Sequence, residues 1–325
     1  MKAAVVTSFG RAPRYQEFPV PTPAGPDDVL VDVIAAGLHP RVRSQATGSH
    51  YTSTGELPLV PGIDGVGRGP DGSVRYFVLP DTTTGAMAEQ TVVDVRRSIV
   101  LPETADPIAV AAAMNPAMSS WIALRRRTTF QSGQNVLVLG ATGNAGQMAV
   151  QIAHRLGAAQ IIAAGRNGER LAALPALGAT DTVLLGGDSE SGDSESGDSE
   201  SGALGSAAAE VDVVIDYLWG RPATAAITAL VTARADRGRP LTWIQIGSVA
   251  GPTAEIPSAA LRAARLQVVG SGQGSVGARE ILAELPSLVA EIANGTFVVD
   301  ARPTPLADVE NAWATSGSQR IVLTP

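Results

Sequence analysis

With 325 residues, 45% of them hydrophobic and only 4% aromatic, the chain can form one large or two ordinary domains with a core of Ala, Val, Ile and Leu. The absence of cysteine excludes disulfides, thiolate nucleophiles and cysteine-containing zinc sites, and the net charge of -7 argues against a nucleic-acid partner. The apolar stretch after Lys2 is too short for a signal peptide and no apolar run reaches about 18 residues, so we expect a cytoplasmic protein with no membrane partner.

The first third of the chain is predicted to be rich in β-strands. Short apolar stretches bounded by Gly, Pro and Asp have the composition of strands at MKAAVV (1–6), DVLVDVIAAG (28–37), SVRYFVLP (73–80) and AEQTVVDV (88–95). The segment VPGIDGVGRGPDG (60–72) has five glycines in thirteen residues and is therefore predicted to be mostly turn.

From residue 108 the pattern changes to helices that alternate with short apolar strands. Helical spacing covers 108–127, 143–158, 168–179 with a break near Pro175, 223–234 and 278–295. Buried strands connected by helices predict a doubly wound parallel sheet, and so an α/β fold. The predicted strands are QNVLVLG (134–140), QIIAAG (160–165), VDVVIDYL (211–218), LTWIQIG (241–247) and LQVVGSG (266–272).

The domain layout follows from the strand-like tail, which is expected to return to the first domain. We therefore predict a β-rich domain from 1–114 and 273–325, with an α/β domain, 115–272, inserted between them. Residues 187–202 are predicted to be a disordered, acidic, low-complexity surface insertion, because a threefold GDSES repeat there has six acids, no base and no apolar residue. A cation site is the alternative, but nothing in the repeat fixes a coordination geometry.

The motif with the clearest chemistry is VLVLGATGNAGQMAVQIAHRLGA (136–158), in which a buried strand runs through spaced glycines into a helix. Glycines permit a tight turn and a close approach of the backbone, and the start of the helix offers free N–H groups to a diphosphate. The spacing is GxxGxxG rather than GxGxxG, and a plain strand-to-helix turn is the alternative. The predicted diphosphate-binding residues are Gly140, Thr142, Gly143, Asn144, Ala145 and Gly146.

The end of the next strand bears on the choice of cofactor. NAD-binding folds usually place an Asp or Glu about 20 residues past the glycines, on the ribose 2′-hydroxyl. Here Gly165, Arg166 and Asn167 occupy that place, and Arg170 follows. A guanidinium pairs with a 2′-phosphate, which a carboxylate would repel, so NADPH is the predicted cofactor. A solvated surface role for Arg166 is the alternative.

Taken in order, MKAAVV, PLVPGIDGVG, NPAMSSW, GATGNAG, AAGRN, DVVIDYLWG, WIQIGS and IVL resemble the zinc-free quinone reductase branch of the medium-chain dehydrogenase/reductase superfamily from end to end. The resemblance implies a GroES-like catalytic domain and a Rossmann NADPH-binding domain, and it implies a homodimer paired through LQVVGSG. Zinc-dependent relatives carry a Cys ligand, a GHE box and a four-Cys lobe. Here GLHPRVR and PGIDGVG stand in those places, with Ile63 where the ligand His would be, so no metal is expected.

The resemblance implies hydride transfer from NADPH to a quinone or another conjugated enone, because these acceptors need no metal to activate them. An enoyl-thioester reductase with the same fold and cofactor is the first alternative. A non-catalytic NADPH-binding sensor is the second, and it would need no proton donor.

Two residues are candidates for proton donation. Tyr51 lies in the loop where the family has a Tyr donor, and its neutral phenol could bond to a developing oxyanion. A loop Tyr with a wet hydroxyl is the alternative. His39 stands before Pro40 where the family often has Asn-Pro, so it is a candidate donor or a hydrogen-bonding residue of the turn.

The remaining candidates are cofactor contacts. The resemblance assigns Asn115 and Ser119 to the nicotinamide half, although helix capping by Asn115 ahead of Pro116 is an alternative. Asp216 is interpreted as a structural cap, and Tyr217 as a border of the adenosine or the ribose. Residues at the carboxyl ends of parallel strands complete the set, because a cofactor lies at that edge: Gly247, Ser248, Ser271 and Gly272.

Overall fold

The computed structural model describes residues 1–186, 202–315, 317 and 319–325, so the GDSES repeat lies outside the described residues. The strands are β1 (Lys2–Val5), β2 (Arg14–Glu17), β3 (Asp28–Gly37), β4 (Asp64–Arg68), β5 (Val74–Val78), β6 (Gln90–Asp94), β7 (Ser98–Val100), β8 (Asn135–Leu139), β9 (Gln160–Gly165), β10 (Asp181–Leu184), β11 (Val213–Asp216), β12 (Leu241–Gln245), β13 (Leu266–Gly270), β14 (Ala301–Pro305) and β15 (Arg320–Thr324). The α-helices are α1 (Pro40–Ala46), α2 (Pro107–Ile122), α3 (Asn144–Arg155), α4 (Gly168–Ala173), α5 (202–208), α6 (Gly220–Ala233), α7 (Ser258–Ala263), α8 (Ala278–Ala293) and α9 (Val309–Ala314).

The chain divides into two compact units, the first formed by Met1–Asn115 with Leu282–Pro325 and the second by Pro116–Ile281. The chain returns from the second unit to the first inside α8, later than the predicted domain boundary after residue 272. In the first unit, a seven-stranded sheet has the order β14-β15-β3-β4-β5-β7, with β6 also paired to β3. Because β15 pairs antiparallel with β3, the tail of the chain belongs to the same sheet as its N-terminal part.

The second unit contains the predicted doubly wound sheet, which is confirmed. Six parallel strands have the order β10-β9-β8-β11-β12-β13, so the direction of winding reverses between β8 and β11. Ligands of open α/β sheets bind outside the carboxyl ends of the strands at such a reversal. The sequence did not predict β10, because only Val183 of its four residues is buried at the sheet edge. The predicted break near Pro175 is confirmed, since α4 ends in a 3-10 turn over Leu174–Leu177.

The prediction that VPGIDGVGRGPDG is mostly turn was wrong. Its middle forms β4, which pairs antiparallel with β3 and β5. A Cβ atom at Gly65 would come within 2.9 Å of the Ala35 carbonyl oxygen, and one at Gly67 within 2.4 Å of Val31 Cγ1. These glycines therefore allow close approach of neighbouring chains inside a strand.

Helix α2 corrects a second interpretation. It continues through Pro116, so Asn115 lies inside the helix and does not cap one. The stretch Pro107–Arg127, which adds a π-turn to α2, is the one described helix long and apolar enough to cross a membrane. Because 67% of its most apolar window is buried within the protein, it has the position of a core helix.

Two clusters of buried side chains have the composition that the sequence predicted. One packs Ala, Val, Leu and Ile of the first unit around Phe77 and Met87. The other packs the same residue types of the second unit around Trp243, which is fully buried. Trp243 is thus one of the few aromatic side chains on which the core of the second unit depends.

Candidate active site

The predicted phosphate loop has the geometry that a diphosphate requires. Gly140 follows β8 with a φ of +83°, which favours glycine, and Gly143 is the N-cap of α3 with no side-chain capping bond. A Cβ atom at Gly146 would lie 2.2 Å from the Gly140 carbonyl oxygen, so the helix packs against the turn at a distance that only glycine permits. The first N–H groups of α3 thus have no side chain to accept from them at the N-cap, and the helix dipole favours an anion there.

The strand beside this loop also touches it. A Cβ atom at Gly165, the last residue of β9, would lie 2.7 Å from Thr142 Cγ2. Arg170, in the first turn of α4, donates from Nη1 to the Thr142 carbonyl oxygen at 3.4 Å. The predicted residues Gly140 to Gly146 and Gly165 are therefore brought together at one edge of the sheet.

The two polar residues after β9 differ in their roles. Arg166 is exposed. Asn167 is the N-cap of α4 and accepts the N–H of Arg170 on Oδ1 at 2.9 Å. Its side chain is thus already used for capping, and Arg166 carries the prediction of a 2′-phosphate contact at this position.

The ends of β11 and β12 complete the same edge on the other side of β8. A Cβ atom at Gly140 would lie 3.3 Å from Tyr217 Cβ, and one at Gly247 would lie 2.7 Å from the Tyr217 carbonyl oxygen. Ser248 follows and is exposed. Ser271 and Gly272 follow β13, the outermost strand on that side, and the Gly272 N–H is bonded to Ser275 Oγ.

Ser119 and Tyr217 form a hydroxyl pair that the sequence did not reveal. Ser119 Oγ lies 2.8 Å from the Tyr217 hydroxyl and donates to the Pro116 carbonyl oxygen at 2.7 Å. Burial raises the pKa of Tyr217 to about 12. The hydroxyl is therefore a neutral group at any physiological pH.

Asp216 has the capping role that the sequence indicated. Its Oδ1 accepts the N–H groups of Leu218 and Trp219 at 2.8 and 3.0 Å, and its Oδ2 accepts the Trp243 indole N–H at 3.0 Å. Trp219 has a φ of +54°, a conformation that costs a non-glycine residue about 1–3 kcal/mol. Asp216 therefore holds a strained turn in place beside Tyr217.

His39 is buried in the first unit and is part of a polar cluster. Its Nε2 lies 2.9 Å from Asp64 Oδ1, and the Tyr76 hydroxyl donates to Asp64 Oδ2 at 2.9 Å. Arg320, also buried, donates to the Leu38 carbonyl oxygen at 3.0 Å. Burial lowers the pKa of His39, outweighing the opposing charge of Asp64, so the imidazole is neutral at pH 7.

Tyr51 lies in a loop whose flanking residues are fixed. The residue is 71% exposed, and its ring lies beside the His50 ring, with 4.2 Å between the centroids. The Thr52 hydroxyl accepts from Arg41 Nη2 at 2.8 Å, lies 2.8 Å from His50 Nδ1 and donates to Asp81, which is itself paired with Arg41. The loop is thus anchored on both sides of Tyr51.

Sequence reasoning missed Asp64, Arg320 and the Arg41–Asp81 pair. The one available signal was an acid in an otherwise apolar and glycine-rich segment, since buried charges in such surroundings are nearly always paired. Among the residues that the structure describes, no group of three or more His, Cys, Asp or Glu side chains is arranged to hold a metal ion.

A glycine-shaped helix start at the reversal of a parallel sheet, joined to a β-rich unit, defines a dinucleotide-binding oxidoreductase fold. No family model matches the chain. A probable NADPH-dependent quinone reductase from Emericella nidulans is 32% identical over 369 aligned residues, which cover 100% of both chains. The protein therefore belongs to the quinone-oxidoreductase-like medium-chain dehydrogenase/reductase superfamily, as the sequence indicated.

Solved structures agree on the fold. A mycobacterial quinone oxidoreductase matches with a TM-score of 0.81 at 20% identity, over 100% of both chains. The quinone oxidoreductase of Thermus thermophilus, solved alone and with NADPH, matches with a TM-score of 0.74 at 24% identity and again covers both chains fully. These matches are consistent with a GroES-like domain and a Rossmann domain in this chain.

Proposed function

We propose that the protein is an NADPH-dependent oxidoreductase that transfers hydride to a quinone or another conjugated enone. This proposal rests mainly on two neighbouring features. Glycines surround the start of α3, and the end of β9 is followed by Arg166 instead of an acidic residue. The relative from Emericella nidulans, whose name states both the cofactor and the acceptor, supports the same activity.

The residues fit the cofactor at both of its charged groups. Gly140, Gly143 and Gly146 would let the diphosphate approach closely, because no Cβ atom intervenes there, and the first N–H groups of α3, after the Gly143 N-cap, would hold it. Arg166 would take the 2′-phosphate. When bound, the cofactor supplies a hydride from C4 of its reduced nicotinamide. Asn115, Ser119, Ser248, Ser271 and Gly272 stay predictions as further contacts.

We further propose that the reaction is zinc-independent. The chain has no cysteine and only three histidines. Two of these are bonded within the fold, His39 to Asp64 and His50 to Thr52, and the third, His154, lies on α3. Among the described residues, no three His, Asp or Glu side chains are grouped to hold a metal ion, which supports this proposal and suits acceptors such as quinones that give a stabilised anion.

Between the two candidate donors, the contacts favour Tyr51. Asp64 can only accept, so the proton of neutral His39 is on Nε2 and Nδ1 is left as an acceptor. A neutral imidazole with its proton committed to a carboxylate is a poor source of a proton. Tyr51 is exposed and carries a phenol, so it can donate to an oxyanion as that group forms.

Rapid mixing of the protein with NADPH and 1,4-benzoquinone tests the proposal. We expect fast NADPH oxidation with the quinone, slow oxidation with a crotonyl thioester, and weak use of NADH.

Arg166→Ala should raise the KM for NADPH roughly 10-fold or more, because one charge-assisted hydrogen bond is lost, and should leave the KM for NADH unchanged. Arg262→Ala, an exposed arginine on α7, is the matched control. Faster turnover of the thioester would indicate the enoyl reductase, and binding without turnover the sensor.

A homodimer and a cytoplasmic location are also part of this proposal. Among the described strands, β13 is hydrogen-bonded only to β12. At its outer edge the Gly270 carbonyl oxygen accepts from Arg127 Nε at 2.7 Å, and a second copy of the chain could pair with the rest of that edge. We expect light scattering after gel filtration to give twice the chain mass, and a monomer mass at micromolar concentration would contradict pairing. Fractionation of the producing cell tests the location.

A further inference from the structure

The order of the strands assigns a direction to the bound dinucleotide, if the proposed function holds. Arg166 follows β9, on one side of the phosphate-loop strand β8, and Tyr217 follows β11, on the other side. A dinucleotide lies across the carboxyl edge of such a sheet, with its adenosine toward the strand that recognises the 2′-position. The nicotinamide half therefore lies toward β11 and β12, where Tyr217 is found.

Tyr217 lies directly against the phosphate loop. The Cβ position of Gly140 is 3.3 Å from Tyr217 Cβ and 3.0 Å from Leu218 Cδ2, and the Gly247 N–H donates to the Asp216 carbonyl oxygen at 3.1 Å. The turn after β11 is further held by the bonds from its backbone to Asp216. The backbone at Tyr217 is thus held by contacts within the fold.

The contacts of Ser119 determine which hydroxyl donates in the hydrogen bond between Ser119 and Tyr217. Ser119 has one hydroxyl proton, and it is donated to the Pro116 carbonyl oxygen, which can only accept. The 2.8 Å bond between Ser119 and Tyr217 is then donated by the Tyr217 phenol. With its proton committed, the phenol oxygen can serve a ligand only as an acceptor.

We propose that the Tyr217 hydroxyl oxygen accepts a hydrogen bond from the carboxamide N–H of the nicotinamide ring and so sets the orientation of that ring. The carboxamide is the one N–H donor on the nicotinamide, so a fixed acceptor at this edge selects it. Ser119 is a positioning residue here, because it fixes the proton of Tyr217 on the side away from the ligand.

The test compares NADP⁺ with its 3-acetylpyridine analogue, in which a methyl group replaces the amide nitrogen and its protons. Calorimetry on the wild type should show about 3- to 10-fold weaker binding of the analogue, the value of one neutral hydrogen bond. Tyr217→Phe should weaken NADP⁺ binding by a similar factor and abolish the preference. Ser119→Ala, which frees the Tyr217 proton, should reduce the preference without changing the ring. Tyr15→Phe, on β2, is the matched control and should keep the wild-type preference.

Adenosine 2′,5′-bisphosphate, which lacks the nicotinamide, separates this inference from the proposed function. It should bind to the wild type and to Tyr217→Phe equally, which also shows that the variant is folded. An undiminished preference for NADP⁺ in Tyr217→Phe would overturn the inference and leave the cofactor assignment intact. If the wild type bound neither the bisphosphate nor NADP⁺, both this inference and the proposed function would be overturned.

Discussion

Among the three glycines of the phosphate loop, Gly146 has the least room for a larger side chain. Gly146→Ala would place a Cβ atom 2.2 Å from the Gly140 carbonyl oxygen and 2.6 Å from Ala141 Cα, and both are backbone atoms that cannot rotate away. Overpacking of this kind typically costs about 1–3 kcal/mol of stability. We expect a lower Tm and at least about 10-fold weaker NADPH binding, measured by calorimetric scanning and titration.

Gly168→Ala provides the matched control, because a Cβ atom at the start of α4 would meet nothing within 4 Å. Alanine also has the higher helix propensity, so this variant should be at least as stable as the wild type. Wild-type NADPH affinity in Gly146→Ala would show that the diphosphate is bound elsewhere.

His39 gives a pH dependence of stability whose sign is fixed by burial. Its pKa is lowered in the folded protein, so the unfolded chain binds the proton more readily below about pH 6.5. Stability contributed by this residue is therefore complete above that pH and falls as the pH drops toward the folded pKa. His39→Asn keeps a donor for Asp64 and does not titrate. We expect its Tm to fall less than the wild-type Tm between pH 7.5 and 5, and an equal fall would contradict a buried neutral imidazole.

At the scale of elements, the loop that carries Tyr51 depends on residues outside it. Arg41 lies in the first turn of α1 and Asp81 follows β5, and both are bonded to Thr52. Asp81→Asn removes the charge that holds Arg41 and should release the loop. If Tyr51 donates the proton, we expect kcat to fall several-fold while NADPH affinity is unchanged.

The double variant of this pair discriminates positioning from general destabilisation. In a Tyr51→Phe background, Asp81→Asn should cause no further fall in kcat, because the group it positions is already gone. Falls in kcat that multiply would mean that Asp81 acts independently of Tyr51. His50 offers a second readout, since burial and the Arg41 charge lower its pKa to about 4.

Elements were predictable where burial leaves a mark on composition. Strands such as β8 and β9, buried on both faces, are continuous apolar runs, and all the predicted strands of the parallel sheet were found. The edge strand β10 has one buried residue and gave no signal. The prediction of turn over β4 was wrong because its glycines allow close packing inside a strand, and the sequence alone does not distinguish that use of glycine from a turn.

For the molecule as a whole, the site has two kinds of residue. Some act beside their neighbours in the sequence, and others meet partners that are far away in the sequence. The phosphate loop and Arg166 follow one strand each, so their chemistry could be read from neighbouring residues. The His39–Asp64, Arg41–Asp81 and Ser119–Tyr217 contacts join residues 25, 40 and 98 positions apart. No periodicity relates such pairs, and the sequence could therefore supply the residue types without their partners.

The net charge of the whole molecule rests on one short segment, and this leads to a prediction about solubility. The six acids of the GDSES repeat account for most of the charge of -7. Replacing them with Asn and Gln brings the chain close to neutrality, where proteins associate and precipitate more readily. We expect the neutral variant to precipitate at a lower concentration of polyethylene glycol, with kcat and KM for NADPH unchanged. A scrambled repeat of the same composition is the matched control and should keep the wild-type solubility. Loss of turnover in the neutral variant alone would mean that these acids act on the reaction, because the scrambled segment retains their charge without their order.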